Sequence, residues 1–440
     1  MDTNAPRDAS RALVGLGTTA ALHGTIHTLG LFLSPLNAEI AGYFGLTSIA
    51  TVTAFKTVYL VVYAGSNLLF GALTNRLPAR EVLGLGMIVN ALAVVLFRFV
   101  PPTGVGLMYL LWIVAALGGG VYHPVANAFI TRLYPLRKGW ALGITGMGAG
   151  IGYAFGPLLT GFLSGVIGLS WRDISLVFGG LGLAVGAAAF LLIPRTPRAA
   201  APRAASDRAA GGGIPPGAVP APAGLSPAGA GPGAGLFGLS YRLWVFLLFI
   251  VVITGTREIG MWTILDISDF FLKVSFPGGP GTAWFLFLMY LPGVFVQPLA
   301  GALSDRVGRG RLVTAAFLFY GAAVASLAFV PGRLLFLPYM LMGAASTASV
   351  PVMEALVTDF TNPRTRGLVF GVFVTAIMGI GALGPLAGGL YLDALGHTAA
   401  AFRSWMLLSA GLIAAGGIAL MFTGRLASRL GLTPPGESPL

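Results

Sequence analysis

The 440-residue chain has no cysteine, which removes disulfides, thiolate metal sites and cysteine nucleophiles together. It is also poor in charge: 9% of residues are charged against 56% hydrophobic, and mean hydropathy is +0.86. So little charge excludes a soluble domain of ordinary composition and identifies a polytopic membrane protein. No Gly-rich loop ending in Lys-Ser/Thr is present, which argues against work driven by ATP. A cleavable leader pattern is missing too. The first apolar run, 12–36, is too long for the core of a signal peptide and is expected to remain as the first membrane helix.

What the chain does have is a series of apolar runs. Five more follow at 48–74, 82–100, 104–131, 139–165 and 173–193, each long enough to span a hydrocarbon core of about 30 Å. Residues 194–241 then turn to Pro, Gly, Ala and Arg, a composition that cannot bury a core and reads as a flexible linker. Six further runs lie at 243–269, 282–304, 312–330, 334–358, 367–392 and 401–424. The predicted fold is an all-α membrane protein with twelve transmembrane helices. An N-terminal six-helix bundle covers 1–193, the linker 194–241 and a C-terminal six-helix bundle 242–440.

The net charge of +12 is unevenly placed. Nineteen of the 26 basic residues fall on one set of alternate connections and five on the other (Arg98, Arg172, Lys273, Arg333 and Arg403). Such a bias sets orientation and does not imply nucleic acid; it predicts cytoplasmic termini and a cytoplasmic linker. Arginine outnumbers lysine heavily in an Ala/Gly-rich chain, which hints at a bacterial source and hence an inner membrane. The two remaining basic residues, Lys56 and Arg257, lie inside helices, where a charge costs on the order of 3 kcal/mol to insert.

The halves repeat one another. Gly71-Ala-Leu-Thr-Asn75-Arg76 matches Gly301-Ala-Leu-Ser-Asp305-Arg306 at an offset of 230 residues, and His27-Thr-Leu-Gly30 falls on Arg257-Glu-Ile-Gly260 at the same offset. Lys138-Gly139 and Gly156-Pro157 fall on Arg366-Gly367 and Gly384-Pro385 at 228. Agreement at several points with nearly one offset reads as a 6+6 duplication.

With these motifs the chain resembles the major facilitator superfamily, over everything except the linker and tails. Gly301-Ala-Leu-Ser-Asp305-Arg306-Val-Gly308-Arg309 resembles that family's loop signature, which implies gating roles for Asp305, Arg306 and Arg309. Asn75 and Arg76 are the first-half counterparts, where Asn75 replaces the usual Asp and Pro78 the usual Gly, so a contact there is uncharged. Gly152-Tyr-Ala-Phe-Gly156-Pro157 resembles the glycine-proline motif of antiporters, although its repetition at Gly381-Ala-Leu-Gly384-Pro385 equally fits plain helix packing. Val121-Tyr122-His123-Pro124 resembles the fosmidomycin-resistance branch of exporters. The resemblance also implies that helices 1, 4, 7 and 10 line a central cavity.

Seven of the eight ionisable residues inside the runs fall on those four helices: His23, His27, His123, Arg257, Glu258, Asp266 and Glu354, with Lys56 on helix 2. Groups this costly in lipid are expected to face the protein interior. Arg257, Lys56, His27, His123, Asn127, Trp262 and Tyr122 are therefore candidates for substrate binding, and Glu354, Glu258 and His23 for carrying a proton. Arg257 and Glu258 stand about 100° apart on their helix and are expected to face different partners, Glu258 neutralising either Lys56 or Arg257. Lys56, in the outer part of its helix, has the option of snorkelling outward. Asp266 and Asp269 lie near a helix end, where exposure is the default. His23 and His27 have a workable i,i+4 metal-ligand spacing, but no carboxylate or cysteine of their own helix joins them, so neither metal nor cofactor is expected.

The expected function is proton-coupled secondary transport by alternating access rather than catalysis. The cargo is a small organic anion or an amphipathic drug, with lipid and protons as the other partners, and a monomer is expected. Export by antiport is favoured over uptake by symport through the helix 5 motif, and a receptor built on a transporter fold stays open.

Overall fold

The computed structural model describes residues 5–73, 78–134, 136–195, 240–361 and 366–432. Its α-helices run in two series. The first holds α1 (Ala5–Leu31), α2 (Asn37–Phe44), α3 (Ile49–Leu73), α4 (Ala79–Leu96), α5 (Val105–Gly119), α6 (Tyr122–Leu133), α7 (Lys138–Gly165) and α8 (Trp171–Leu192). The second holds α9 (Tyr241–Ser275), α10 (Thr282–Val307), α11 (Arg309–Ser326), α12 (Phe336–Asp359), α13 (Arg366–Gly381), α14 (Leu383–Leu395), α15 (Ala399–Leu420) and α16 (Thr423–Arg429). Most of the expected linker, together with Asn75 and Arg76, lies outside the described residues.

Two expected spans are broken, and the two are not counterparts in the repeat. The fourth is interrupted between Gly119 and Tyr122, the eleventh between Gly381 and Leu383. Pro124 and Pro385 carry no N–H to donate to the carbonyls of Gly120 and Gly381 four residues earlier, so each proline loosens the helix one turn behind itself. By contrast α7 runs unbroken through Pro157, and α12 through Pro351. The 35-residue α9 overshoots its expected run. At 1.5 Å per residue it is about 52 Å long and projects well beyond a bilayer core.

Among the described residues, ten spans are long and apolar enough to cross a membrane. Helices α1 and α11 fall below that apolarity, α1 through residues such as Thr18, Thr19, His23 and Thr25, which it buries. Large apolar side chains, among them Leu68, Leu110, Phe155, Phe295 and Leu408, stand on the outside instead. This inversion places costly polar groups in protein and apolar ones in lipid.

Within the first series α1 packs along α7 and α8, and α4 along α5 and α8; within the second, α9 packs on α13, α14 and α15, and α10 and α11 on α12. The halves meet where α3 lies along α13 and α14, and where α7 lies along α10. Close approach inside each half depends on glycine. A Cβ at Gly24 would stand 2.7 Å from the Gly148 carbonyl oxygen, and one at Gly384 would stand 2.5 Å from the Ile259 carbonyl oxygen. The glycine-proline segment of α7 therefore packs α1, and its repeat in α13 and α14 packs α9 in the same manner.

At the end of the bundle away from the termini, hydrogen bonds join the halves. Asn37 Nδ2 donates to the backbone oxygen and Oδ1 of Asp266, at 2.7 and 3.1 Å, and the Ala38 N–H donates to Asp269 Oδ2 at 2.7 Å. Asp393 accepts from Ser48 Oγ at 2.6 Å and from the N–H groups of Ile49 and Ala50 at 2.8 and 3.1 Å, capping α3 from the other half. Asp266 and Asp269, expected to be exposed, are each only 2% exposed. The long α9 carries them into the opposite half instead of releasing them to water.

Candidate substrate site

Three histidines come together in the first half. His23 and His27 sit one turn apart on α1, and His123 opposes them from the start of α6; their potential ligand atoms all lie within 4.8 Å of one another. The break before α6 turns this segment so that His123 meets α1. His23 is buried, and its Nδ1–H donates to the Thr145 carbonyl at 2.8 Å. Its ring stacks on Tyr122 with centroids 4.4 Å apart, while the Tyr122 hydroxyl donates to the Thr19 carbonyl at 2.9 Å. Asn127, one turn past His123, is exposed.

From this cluster a column of rings leads to the other half. His27 stacks on Tyr153 of α7 (4.1 Å, 24°), and Tyr153 stacks on Tyr290 of α10 (4.9 Å, 20°). Both tyrosines lie within electrostatic reach of Arg257, as do Tyr320 and Glu354. These rings are cross-helix partners, so nothing in local sequence spacing marks them out.

Arg257 is 4% exposed and Glu258 6% exposed. Of the two partners open to Glu258, it takes Arg257, although the two residues leave their helix about 100° apart. The long guanidinium arm curls back across the angle between them, because a lone buried charge would go uncompensated. Arg257 also donates to the Ser346 carbonyl and Oγ, at 2.8 and 2.9 Å, and its Nε is buried without a partner. Trp262, one turn on, donates from Nε1 to Glu258 Oε2 at 3.1 Å. Glu354 of α12 is half-buried and, among the described residues, accepts no hydrogen bond.

Lys56 does not snorkel. It is 4% exposed, bonds the Gly30 carbonyl, and lies between the rings of Tyr59 and Trp112 at 5.8 and 5.6 Å from their centroids. Its electrostatic partner is Asp266 from the other half rather than Glu258. Asn37 and Asp266 carried a readable signal: they are separated by 229 residues, one short of the repeat offset, and so sit at near-equivalent positions where the halves meet.

Of the gating candidates, Arg309 bonds Asp359 and, at 2.8 Å, the Ala355 carbonyl, both on α12 of its own half. Arg306 is exposed, and the Asp305 side chain lies outside the described residues. A separate groove of about 560 Å³ between α1, α7 and α8 is lined by small and apolar side chains such as Ala20, Phe155 and Leu159, not by these ionisable groups.

Solved transporters share this architecture. A bacterial homologue of the human lysosomal transporter Spinster, in an inward-facing and unoccupied conformation, aligns over 98% of this chain and 99% of its own, with a TM-score of 0.76 at 16% identity. The nucleoside transporter NupG, as a D323A mutant, aligns over 93% and 99% with a TM-score of 0.70, also at 16% identity. Among sequence relatives, the puromycin resistance protein pur8 of Streptomyces alboniger is 41% identical over 101 residues, 22% of this chain and 20% of that protein. The multidrug resistance protein MdtG of Escherichia fergusonii is 24% identical over 384 residues, 83% of this chain and 84% of that one. The chain spans 20% to 35% of the length of several other curated relatives it matches, pur8 included. The sequence profile of the Major Facilitator Superfamily matches residues 16–275 and 278–439, nearly the whole chain. This protein is a multi-pass membrane protein that belongs to the Major Facilitator Superfamily.

Proposed function

We propose that the chain exports an amphipathic, drug-like molecule or small organic anion in exchange for protons. The observation that carries this reading is the division of labour around Arg257. Glu258 and Ser346 already hold the guanidinium, whereas Glu354, within its electrostatic reach, has no hydrogen bond among the described residues. A proton and a polar group of the substrate therefore compete for Glu354 without breaking the ion pair, and competition at one site is what exchange requires. Tyr122, Tyr153, Tyr290 and Trp262 offer ring faces to an amphipathic body. Relatives named for puromycin and multidrug resistance support the export direction. With the basic residues placing the termini in the cytoplasm, the bonded end of the bundle is the outer one, and the described state is closed outward.

The Arg257–Glu258 pair favours a second reading. An organic acid that takes Arg257 displaces Glu258, and a buried carboxylate so released takes up a proton, so anion and proton bind together. That outcome is uptake by symport.

Proteoliposomes separate the two. A panel of amphipathic drugs and organic acids is offered with the pH gradient imposed in each direction. Export predicts that a drug moves against the proton flow, and symport that an acid moves with it. An absence of counterflow for the whole panel would sink both and leave a receptor.

A further inference from the structure

We infer that His23, His27 and His123 form a binding site for a divalent cation of the zinc class. Local spacing offers two of the ligands, and the fold supplies the third by bringing α6 against α1. A tetrahedral zinc ion with bonds of about 2.0 to 2.1 Å holds its ligand nitrogens about 3.4 Å apart. The potential ligand atoms of the three rings lie within 4.8 Å of one another, so closing to that spacing needs a movement of at most about 1.4 Å.

A second observation is independent of the clustering. The Thr145 carbonyl can only accept, so the hydrogen of His23 sits on Nδ1 and the lone pair on Nε2. That Nε2 is buried and, among the described residues, has no hydrogen-bond partner, in a residue only 8% exposed. An orphaned lone pair in a protein interior is costly, and an imidazole oriented by a carbonyl on its far nitrogen is how histidine is commonly presented to a metal. Stacking on Tyr122 and on Tyr153 fixes the planes of His23 and His27. Three neutral imidazoles leave the 2+ charge of the ion uncompensated and a fourth position open, which suits water or an anionic group. All three ligands belong to the first half, so binding does not tie the halves together.

The test uses the full-length chain in detergent, purified through a tag without histidine and stripped with chelator. Zn2+ is measured by competition with a chromophoric chelator and by elemental mass spectrometry, and Co2+ by its visible absorption. One Zn2+ per chain, with cobalt bands of a four- or five-coordinate nitrogen site, is expected. His23→Asn, His27→Asn and His123→Asn should each weaken binding by about tenfold or more. His397→Asn, which alters the remaining histidine of the chain, should leave binding unchanged. Substoichiometric zinc in the wild type, six-coordinate cobalt, or full affinity in the three cluster variants overturns the site. Should a variant fold poorly, wild-type stoichiometry and the cobalt spectrum decide alone. No gradient is involved, so failure here leaves the transport reading standing, and the reverse also holds.

Discussion

Asn37 and Asp266 meet across the interface between the halves, the amide of one bonded to both the backbone and the carboxylate of the other at 2.7 and 3.1 Å. Because they occupy near-equivalent positions of the two repeats, 229 residues apart, the contact lies near the pseudo-two-fold axis that a duplication implies. Asp269 and Asp393 reinforce it on either side, each accepting N–H groups of the first half.

Weakening this end should open it. Asp269→Asn with Asp393→Asn keeps volume but removes charge-assisted bonds worth about 1.5 to 3 kcal/mol each, enough to shift an open–closed balance roughly tenfold or more. The absence of native cysteine allows spin labels at Thr47→Cys and Val274→Cys, two positions flanking the crevice at this end. Double electron–electron resonance should show a longer distance gaining population in the variant. An unchanged distribution would mean that the apolar contact of α3 with α14 holds the end shut.

The ion pair at Arg257 predicts an asymmetry between single and double substitution. Arg257→Met strands Glu258 in the interior and should cost about 3 to 5 kcal/mol, whereas Arg257→Met with Glu258→Gln should recover most of that loss. Thermal unfolding of the purified proteins measures both. Transport should be lost in each, and equal melting temperatures for the single and double variants would show that the pair is solvated.

Glu354→Gln should keep substrate exchange and lose the response to an imposed pH gradient. Counterflow without a gradient and accumulation with one are the paired measurements. Accumulation equal to that of the wild type would remove Glu354 from proton coupling.

The glycine seam between α1 and α7 predicts position-specific damage. Gly24→Val drives a side chain into the Gly148 backbone and should destabilise by about 1 to 3 kcal/mol or more. Gly17→Val, on the same helix with open space around it, should be tolerated. Folded yield by fluorescence-detected size exclusion compares them. Because Gly24 lies outside the α7 motif, a matching loss for Gly24→Val and Gly152→Val would assign that motif to packing.

Hydropathy made the apolar membrane-crossing helices legible, because it depends on local composition alone. The prolines at 124 and 385 were equally visible, yet the helix breaks behind them were not, since Pro157 and Pro351 pass through helices unharmed. Which proline interrupts a helix depends on what packs against the freed carbonyl. The site was half legible. Polar residues in apolar runs named Arg257, Glu258, Glu354 and the histidines. Some of their partners came from other helices, as Thr145 for His23 and Ser346 for Arg257, and a helical wheel does not show that Arg257 folds back on Glu258 of its own helix.

The stacked pair Tyr153–Tyr290 has a mechanical consequence. Hydrogen bonds at the closed end must break outright when the halves part, but ring faces 4.9 Å apart and 20° from parallel can shear across one another while staying in contact. Where α7 meets α10, such a contact would tolerate one half swinging over the other without being lost.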